Sequence, residues 1–156
     1  MNPANLSTIQ TRKLEKKDIP QLLPLMYEYI VDFYKCPRPS EGSLEKLVNH
    51  LLDNPSEGIQ FVAESETNQL VGFATLYFTF NTLEAKRMAF LYDLFVSPNT
   101  RGQKIGERLF KTCLSHIREN DYSHMTWETA HDNVVAQALY DKMGADKAVW
   151  LNYEIK

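Results

Sequence analysis

Apolar side chains recur at two different spacings along this chain of 156 residues. Where they recur every three to four positions the spacing predicts helices, which cover residues 19–33, 43–52, 104–119 and 133–143. Short runs of apolar, β-branched and aromatic residues predict strands, which cover residues 9–14, 59–63, 70–80, 88–96, 124–130 and 148–155. Hairpins come first and strands alternate with helices later, an order that predicts a mixed α/β sheet with helices on its faces.

The length suits a single domain that spans residues 1–156 around one core. A net charge of −3 argues against nucleic acid as a partner. No apolar run approaches the ~20 residues that cross a bilayer, and the polar N-terminus does not have the pattern of a signal peptide. The two cysteines stand far apart and no His/Cys cluster has zinc spacing, so we expect no metal, no membrane partner and a cytoplasmic setting.

A strand–loop–helix junction carries the strongest chemical signal. The apolar run at residues 91–96 leads through a short loop to a helix, and the junction holds one arginine, one lysine and two glycines: Arg101, Lys104, Gly102 and Gly106. A helix N-terminus attracts phosphate through its backbone N–H groups and macrodipole, and glycine allows close backbone approach. The junction therefore favours a phosphorylated ligand, although an ordinary turn with a solvated basic residue has the same composition.

A second motif follows about thirty residues later and reads Asn133-x-x-Ala136-x-x-Leu139-Tyr140-x-Lys142-x-Gly144-Ala145. Together the two motifs resemble those of the GNAT superfamily of N-acetyltransferases, and the order of elements matches that fold over essentially the whole chain. The family's Arg/Gln-x-x-Gly-x-Gly/Ala motif corresponds here to Arg101-Gly102-Gln103-Lys104-Ile105-Gly106, in which Lys104 replaces the middle glycine. Residues 90–106 and the Gly144-Ala145 ending resemble most the diamine (spermidine/spermine-type) branch.

The resemblance implies a mixed, mostly antiparallel central sheet with helices on both faces, acetyl-CoA as acetyl donor and an amine as acceptor. It implies that the backbone of Leu94, Phe95 and Val96 pairs with the pantetheine amides. The Arg101 side chain and the following backbone would hold the pyrophosphate, with contacts from Gly102, Gln103, Lys104, Ile105, Gly106 and Glu107. By the same likeness, Asn133 and Tyr140 would border the cofactor near its sulfur.

Acetyl transfer needs a proton donor for the departing thiolate and an acceptor for the proton of the amine. Tyr140 is the family-matched general acid, although a half-buried aromatic residue on a helix face would look the same. Asp93 and Glu128 are candidate proton acceptors, and both positions also fit polar, solvent-facing sites of a strand. A backbone N–H of Leu94 or Phe95 would stabilise the oxyanion. Cys113 lies on an apolar helix face, so we expect a packing residue and direct transfer in a ternary complex.

The acceptor region combines aromatic and acidic side chains, a pairing that suits a cation but also suits a solvated surface. By the resemblance, its walls include Tyr27, Glu28, Asp32 and Trp150. We expect an N-acetyltransferase for a primary amine of a small cationic metabolite. A non-catalytic acyl-CoA-binding or sensing module and an acetyltransferase for protein amines are the alternatives, and dimerisation is common in the resembling family.

Overall fold

A computed structural model describes residues 8–100 and 102–156. Its described strands form one sheet in the order β1 to β5, in which β1 to β4 are antiparallel and β5 runs parallel to β4. The strands are β1 Gln10–Lys13, β2 Gly58–Glu64, β3 Leu70–Asn81, β4 Lys86–Val96 and β5 Met125–Thr126. The α-helices are α1 Ile19–Tyr27, α2 Ser43–Asp53, α3 Ile105–Glu119 and α4 Val134–Lys142.

Apolar side chains cover both faces of this sheet. On one face α3 buries Leu109, Phe110 and Cys113 against β2, β3 and β4. On the other face α1 and α2 bury residues such as Leu22 and Val48 against the same strands. The amphipathic pattern of each helix therefore finds a core side, and the predicted fold class, a mostly antiparallel sheet with helices on both faces, is confirmed.

The helix predicted over residues 19–33 changes character partway. It is α-helical to Tyr27 and continues as a π-helical segment, Glu28–Phe33, in which the Tyr34 N–H donates to the Tyr29 carbonyl five residues earlier at 3.1 Å. A π turn inserts one residue into the helical repeat and is often found at functional sites. The apolar spacing alone gave no sign of this insertion.

Two strand predictions need correction. The strand predicted over residues 124–130 is only Met125–Thr126, and residues 148–155, predicted as the last strand, form no strand. Apolar alternation marks which side chains need burial, but a strand also needs a neighbouring strand for its backbone groups. Residues 146–156 make no backbone hydrogen bond to the other described residues.

A buried ion pair stabilises the β1 edge of the sheet. Asp18, only 5% exposed, accepts two hydrogen bonds from Arg12, which also bonds Glu64. The Arg12 guanidinium lowers the pKa of the Asp18 carboxyl. Among the described residues, no helix has both the length and the apolar character required to cross a bilayer.

Candidate active site

An irregularity in β4 determines which side chains line the candidate site. Opposite β3, Thr75 pairs with Asp93 whereas the next residue, Leu76, pairs with Leu91. Tyr92 is therefore an extra residue, which makes a β-bulge. Bulges redirect side chains, because the residues after the bulge exchange faces relative to strict alternation.

The exchange is visible in the packing. Before the bulge Leu91 faces α3, whereas after it Leu94 faces α3. Asp93 and Phe95 consequently turn to the opposite side, where Phe95 packs in the α1–α2 core. The bulge thus places a carboxylate on the face of the sheet that packs against α1 and α2.

Asp93 is buried there with two hydroxyl donors. The side chain is 8% exposed and accepts hydrogen bonds from Thr75 and Tyr29. The Thr75 hydroxyl in turn accepts a hydrogen bond from Gln60 Nε2 at 3.1 Å. Burial raises the pKa of Asp93, and the two donors oppose that rise only in part. A carboxyl whose pKa is raised by burial is a candidate for proton exchange with a substrate.

The π-helical segment supplies the phenol above Asp93. A hydrogen bond joins Tyr29 to Tyr34, whose rings meet edge to face with centroids 4.9 Å apart. Burial raises the pKa of Tyr29 far above its ordinary value, and Asp93 adds to the effect.

The predicted general acid lies among aromatic side chains. Tyr140 lies on α4, half-buried, with its ring 5.3 Å from Trp127 and 5.9 Å from Phe110. Burial raises the pKa of Tyr140, and the neighbouring Tyr34 phenol raises it further. Tyr34 thus influences both Tyr29, the neighbour of Asp93, and Tyr140.

Aromatic rings lie in the neighbourhood of the carboxylate. Tyr29 contacts Phe95 at a centroid distance of 5.5 Å, and Tyr77 contacts Tyr92 at 5.3 Å. Burial raises the pKa of Tyr77 to about 12, with a further contribution from Asp93. Neutral rings around one buried negative charge form an environment that attracts an ammonium group through ion pairing and cation–π contact.

A gap opens beside the second half of β4. The parallel β5 pairs only as far as Thr126, opposite Phe90, while β4 continues to Val96. The Ser97 N–H donates to Val71 C=O at 2.8 Å, which sets the hydrogen-bonding alternation of the antiparallel pair. Leu94 and Val96 consequently direct their backbone groups toward the gap, whereas Phe95 directs its own toward β3.

The helix α3 begins at the end of this gap. Gly102 has φ of 85° and Lys104, the N-cap, has φ of 59°, so two residues of the turn adopt a left-handed backbone conformation. The first N–H groups of α3 have no intrahelical acceptors, and a Cβ on Gly106 would lie 3.7 Å from the Val96 side chain. The backbone here fits a pyrophosphate beside the strand end. Arg101, which completes the predicted motif, lies outside the described residues.

Lys104 adopts the backbone conformation of the glycine that it replaces. We expect Lys104→Gly to relieve about 1 kcal/mol of left-handed strain, offset by added chain entropy, and to weaken acetyl-CoA binding less than about tenfold. Isothermal titration calorimetry and thermal unfolding measure the two effects. Loss of binding would show that the lysine ammonium, rather than the backbone, holds the phosphates.

Two further predicted residues stabilise this region. The Asn133 side chain caps α4 by accepting from the Ala136 N–H at 3.2 Å. Glu107, at the start of α3, pairs with Lys111 and with Lys142 of α4, which lower its pKa. These contacts fasten the helix that carries Tyr140 to the helix that begins at the phosphate turn.

The other predicted site residues lie apart from Asp93. Glu128 is exposed and accepts a hydrogen bond from Asn152 at 2.6 Å, and Trp150 is 80% exposed. Tyr27 packs under the Arg38 guanidinium at 3.7 Å, while Glu28 and Asp32 extend from the π-helical segment. The described contacts join none of these five side chains to Asp93.

The sequence pattern did not indicate four aromatic or hydroxyl residues of the site: Tyr29, Thr75, Tyr77 and Tyr92. Tyr29 stands three residues after Met26 and looks like one more core position of a regular helix. The others depend on the bulge, which the alternation of β4 does not reveal. An acidic residue inside an apolar run was the one available signal, and it pointed to Asp93.

Comparison with known proteins places this geometry in a family. The profile described as Acetyltransferase (GNAT) family matches residues 23–145. An uncharacterized N-acetyltransferase, YhfO of Bacillus subtilis, is 31% identical over 136 residues, which cover 87% of this chain and 89% of that protein. Mouse thialysine N-epsilon-acetyltransferase is 24% identical over 97% of this chain and 94% of its own length.

Solved structures agree. The crystal structure of a probable acetyltransferase has a TM-score of 0.83 and 26% identity and covers 94% of this chain and 97% of its own. The splayed strand, the left-handed turn at α3 and the buried hydroxyl network thus occur within a fold that known acetyltransferases share. The chain belongs to the GNAT family and is an acetyl-CoA-dependent N-acetyltransferase.

Proposed function

We propose that this protein acetylates the primary amine of a small cationic metabolite by direct attack on acetyl-CoA in a ternary complex. The observation that carries the proposal is the Asp93 carboxylate, buried under aromatic rings beside the splayed half of β4. An ammonium group gains from both the charge and the rings. The mouse relative, named for an amino-acid amine, supports an acceptor of this class, as does the resemblance to the diamine branch.

The donor side follows from the backbone. The gap beside β4 would take the pantetheine arm, with Leu94 and Val96 facing it, and residues 102–107 with Arg101 would hold the pyrophosphate. The Leu94 N–H faces the gap and would stabilise negative charge that develops on the carbonyl oxygen of the thioester. Asn133 and Tyr140 would border the thioester end.

In this mechanism one side chain of the protein accepts a proton and another donates one. The bound ammonium loses one proton to solvent, and the amine nitrogen then forms its bond to the carbonyl carbon while its remaining excess proton goes to Asp93. The carbon–sulfur bond breaks, and Tyr140 donates a proton to the thiolate. In this proposal the proton held by Asp93 returns to Tyr140 by way of the Tyr29 and Tyr34 hydroxyls, a route supported by the influence of Tyr34 on the pKa values of both Tyr29 and Tyr140. Glu128, the second candidate base, would act only through water, because no described contact joins it to this path.

Ligand-induced stabilisation tests the donor. At a concentration one hundred times its Kd, acetyl-CoA should add about 2.7 kcal/mol to the free energy of unfolding, a rise of roughly 5–10 °C in Tm. ATP at the same concentration should give no such rise, because it lacks the pantetheine arm. Differential scanning fluorimetry with acetyl-CoA, CoA and ATP measures this, and equal stabilisation by ATP would contradict the proposal.

The chain offers a matched control for this test. Gly102 and Gly42 have φ of 85° and 80°, and an added Cβ would meet nothing within 4 Å at either position. Alanine should strain both turns equally, but only Gly102→Ala should weaken acetyl-CoA binding. Equal affinities in the two variants would remove the turn from the donor site.

Thiol release with an amine panel tests the acceptor. Diamines and lysine-like amines should release CoA thiol, and peptides with free N-termini should not. Turnover with peptides alone would instead identify an acetyltransferase for protein amines. Binding of acetyl-CoA without turnover on any amine would identify a sensing module.

A further inference from the structure

A row of three polar side chains crosses the sheet on the face that packs against α1 and α2. Gln60 of β2 stands opposite Thr75 of β3, and Thr75 stands opposite Asp93 of β4. All three residues are buried, with exposed fractions of 4%, 0% and 8%. Burial of a polar group costs free energy unless the group is hydrogen-bonded, so a buried row of this kind needs a physical reason.

The next row of the same face is entirely apolar. There Val62 stands opposite Phe73, and Phe73 stands opposite Phe95, and all three pack in the core beneath α1 and α2. Apolar side chains therefore fit between this sheet and these helices. Packing does not require the polar row, and the carboxylate at its end is the group that needs its donors.

The hydrogen bonds along the polar row have a fixed direction. An ionised carboxylate only accepts hydrogen bonds, so Thr75 donates its hydroxyl proton to Asp93. The Thr75 oxygen accepts from Gln60 Nε2 at 3.1 Å. The amide group of Gln60 thus has its nitrogen toward Thr75, and no donor among the described residues reaches its buried oxygen. Because an unpaired buried oxygen is costly, we expect the donor half of this amide to have a role.

We propose that Gln60 is a positioning residue, whose amide holds the Thr75 hydroxyl in the orientation that donates to the Asp93 carboxylate. Without the amide donor, the Thr75 hydroxyl is free to turn its proton away from Asp93. Gln60 lies on β2, one strand further from β4 than Thr75, and acts through Thr75. The link to turnover rests on the proposed role of Asp93 as the base, whereas the hydrogen-bonded row does not.

The row favours the ionised form of Asp93. Burial raises the pKa of Asp93, and the Thr75 hydroxyl is one of two donors that oppose this rise. The titratable groups that act on the carboxylate are phenols, Tyr29 of the π-helical segment and Tyr77 of β3. Substitutions of Gln60 or Thr75 leave both phenols in place. A change in the pKa of Asp93 in such variants can therefore be assigned to the row.

Carboxyl ¹³C NMR of the aspartate-labelled protein measures the pKa of Asp93 independently of turnover, and Asp93→Asn identifies its resonance. Thr75→Val removes the direct donor and should raise this pKa by about one unit. Gln60→Met should raise it by roughly half a unit, because the hydroxyl remains but is no longer held. Ile59→Met is the matched control, because Ile59 is the neighbouring residue of β2 and packs on the α3 side. It should leave the pKa of Asp93 unchanged.

A double-mutant cycle tests whether Gln60 acts through Thr75. In the Thr75→Val background Gln60→Met should cause no further rise in the pKa of Asp93, whereas in Thr75→Ser, which keeps a hydroxyl, it should cause the full rise. No rise with Gln60→Met in the otherwise wild-type protein, or an equal rise in both backgrounds, would overturn the proposal. Gln60→Leu repeats the test with a second apolar side chain, and circular dichroism confirms that the variants are folded.

The pH–rate profile separates this inference from the proposed function. If Asp93 is the base, the acidic limb of kcat/KM should move to higher pH in Gln60→Met by the same shift that NMR measures. A shift in the NMR pKa with an unmoved limb would uphold the positioning of Thr75 by Gln60 and contradict the role of Asp93 as the base. An unmoved NMR pKa would contradict the positioning role alone.

Discussion

Replacing Tyr140 by phenylalanine is expected to lower kcat by about 100-fold or more while changing the affinity for acetyl-CoA little. The ring packs on Trp127 and Phe110, and phenylalanine keeps those contacts. Only the hydroxyl is removed, and with it the proposed proton donor for the departing thiolate. Steady-state kinetics and calorimetry separate the two parameters.

Tyr122→Phe serves as the control for this change. Tyr122 is also partly buried and packs edge to face on Phe78 at 5.0 Å, but it lies outside the hydroxyl path. Its turnover should match that of the wild-type protein. If Tyr140→Phe also retains full turnover, Tyr140 has no part in proton transfer. The proposed return of a proton from Asp93 to Tyr140 would then be excluded.

The second large effect is expected for Asp93→Asn. Asp93 is the proposed base and would act in its ionised form, so kcat/KM should rise with pH through its raised pKa. Asparagine cannot accept the proton, so turnover should fall by about 100-fold or more and this limb of the pH–rate profile should disappear. An unshifted profile in the variant would exclude Asp93 as the base.

The Asp93→Asn substitution should lower turnover without lowering stability. Unfolding would then be excluded as the cause of the lost turnover. The folded-state pKa of Asp93 is raised above the unfolded value, so its contribution to stability is present below the unfolded pKa and is lost as pH rises through the folded pKa. At neutral pH the Asp93→Asn variant should therefore have a Tm equal to or above that of the wild-type protein. Its advantage should disappear in acid.

Asp18→Asn provides the matched comparison, because both aspartates are buried. Arg12 lowers the folded-state pKa of Asp18, so Asp18 stabilises the fold above the unfolded pKa and loses that effect as pH falls through the folded pKa. Asp18→Asn should lower Tm at neutral pH and leave the pH–rate profile unchanged. Chemical and thermal denaturation at several pH values would show the contrast.

The sequence predicts most of this fold where apolar spacing determines packing. The periodicity of α3 and the long apolar runs of β3 and β4 give elements within about two residues of the observed ones. The pattern fails where structure depends on contacts outside the element. Residues 148–155 have the alternation of a strand but no neighbour, and the π turn after Tyr27 changes hydrogen bonding without changing composition.

The candidate site divides in the same way. Tyr140 and the turn around Lys104 stand in sequence motifs, and Asp93 stands out as a charge in an apolar run. Tyr29 and Thr75 become neighbours of Asp93 only because of a bulge and a π turn, both of which shift side chains by one position. Neither irregularity has a composition that distinguishes it from a regular strand or helix.

The π-helical segment Glu28–Phe33 also allows the proposed acceptor side of the site to change during evolution while the rest of the molecule stays the same. Losing one residue there would restore a regular helix and rotate each later side chain by about 100°. Tyr34 would leave the hydroxyl path, and a different side chain would take its place. A single-codon deletion could therefore alter acceptor choice while the sheet, the core and the donor half stay as they are.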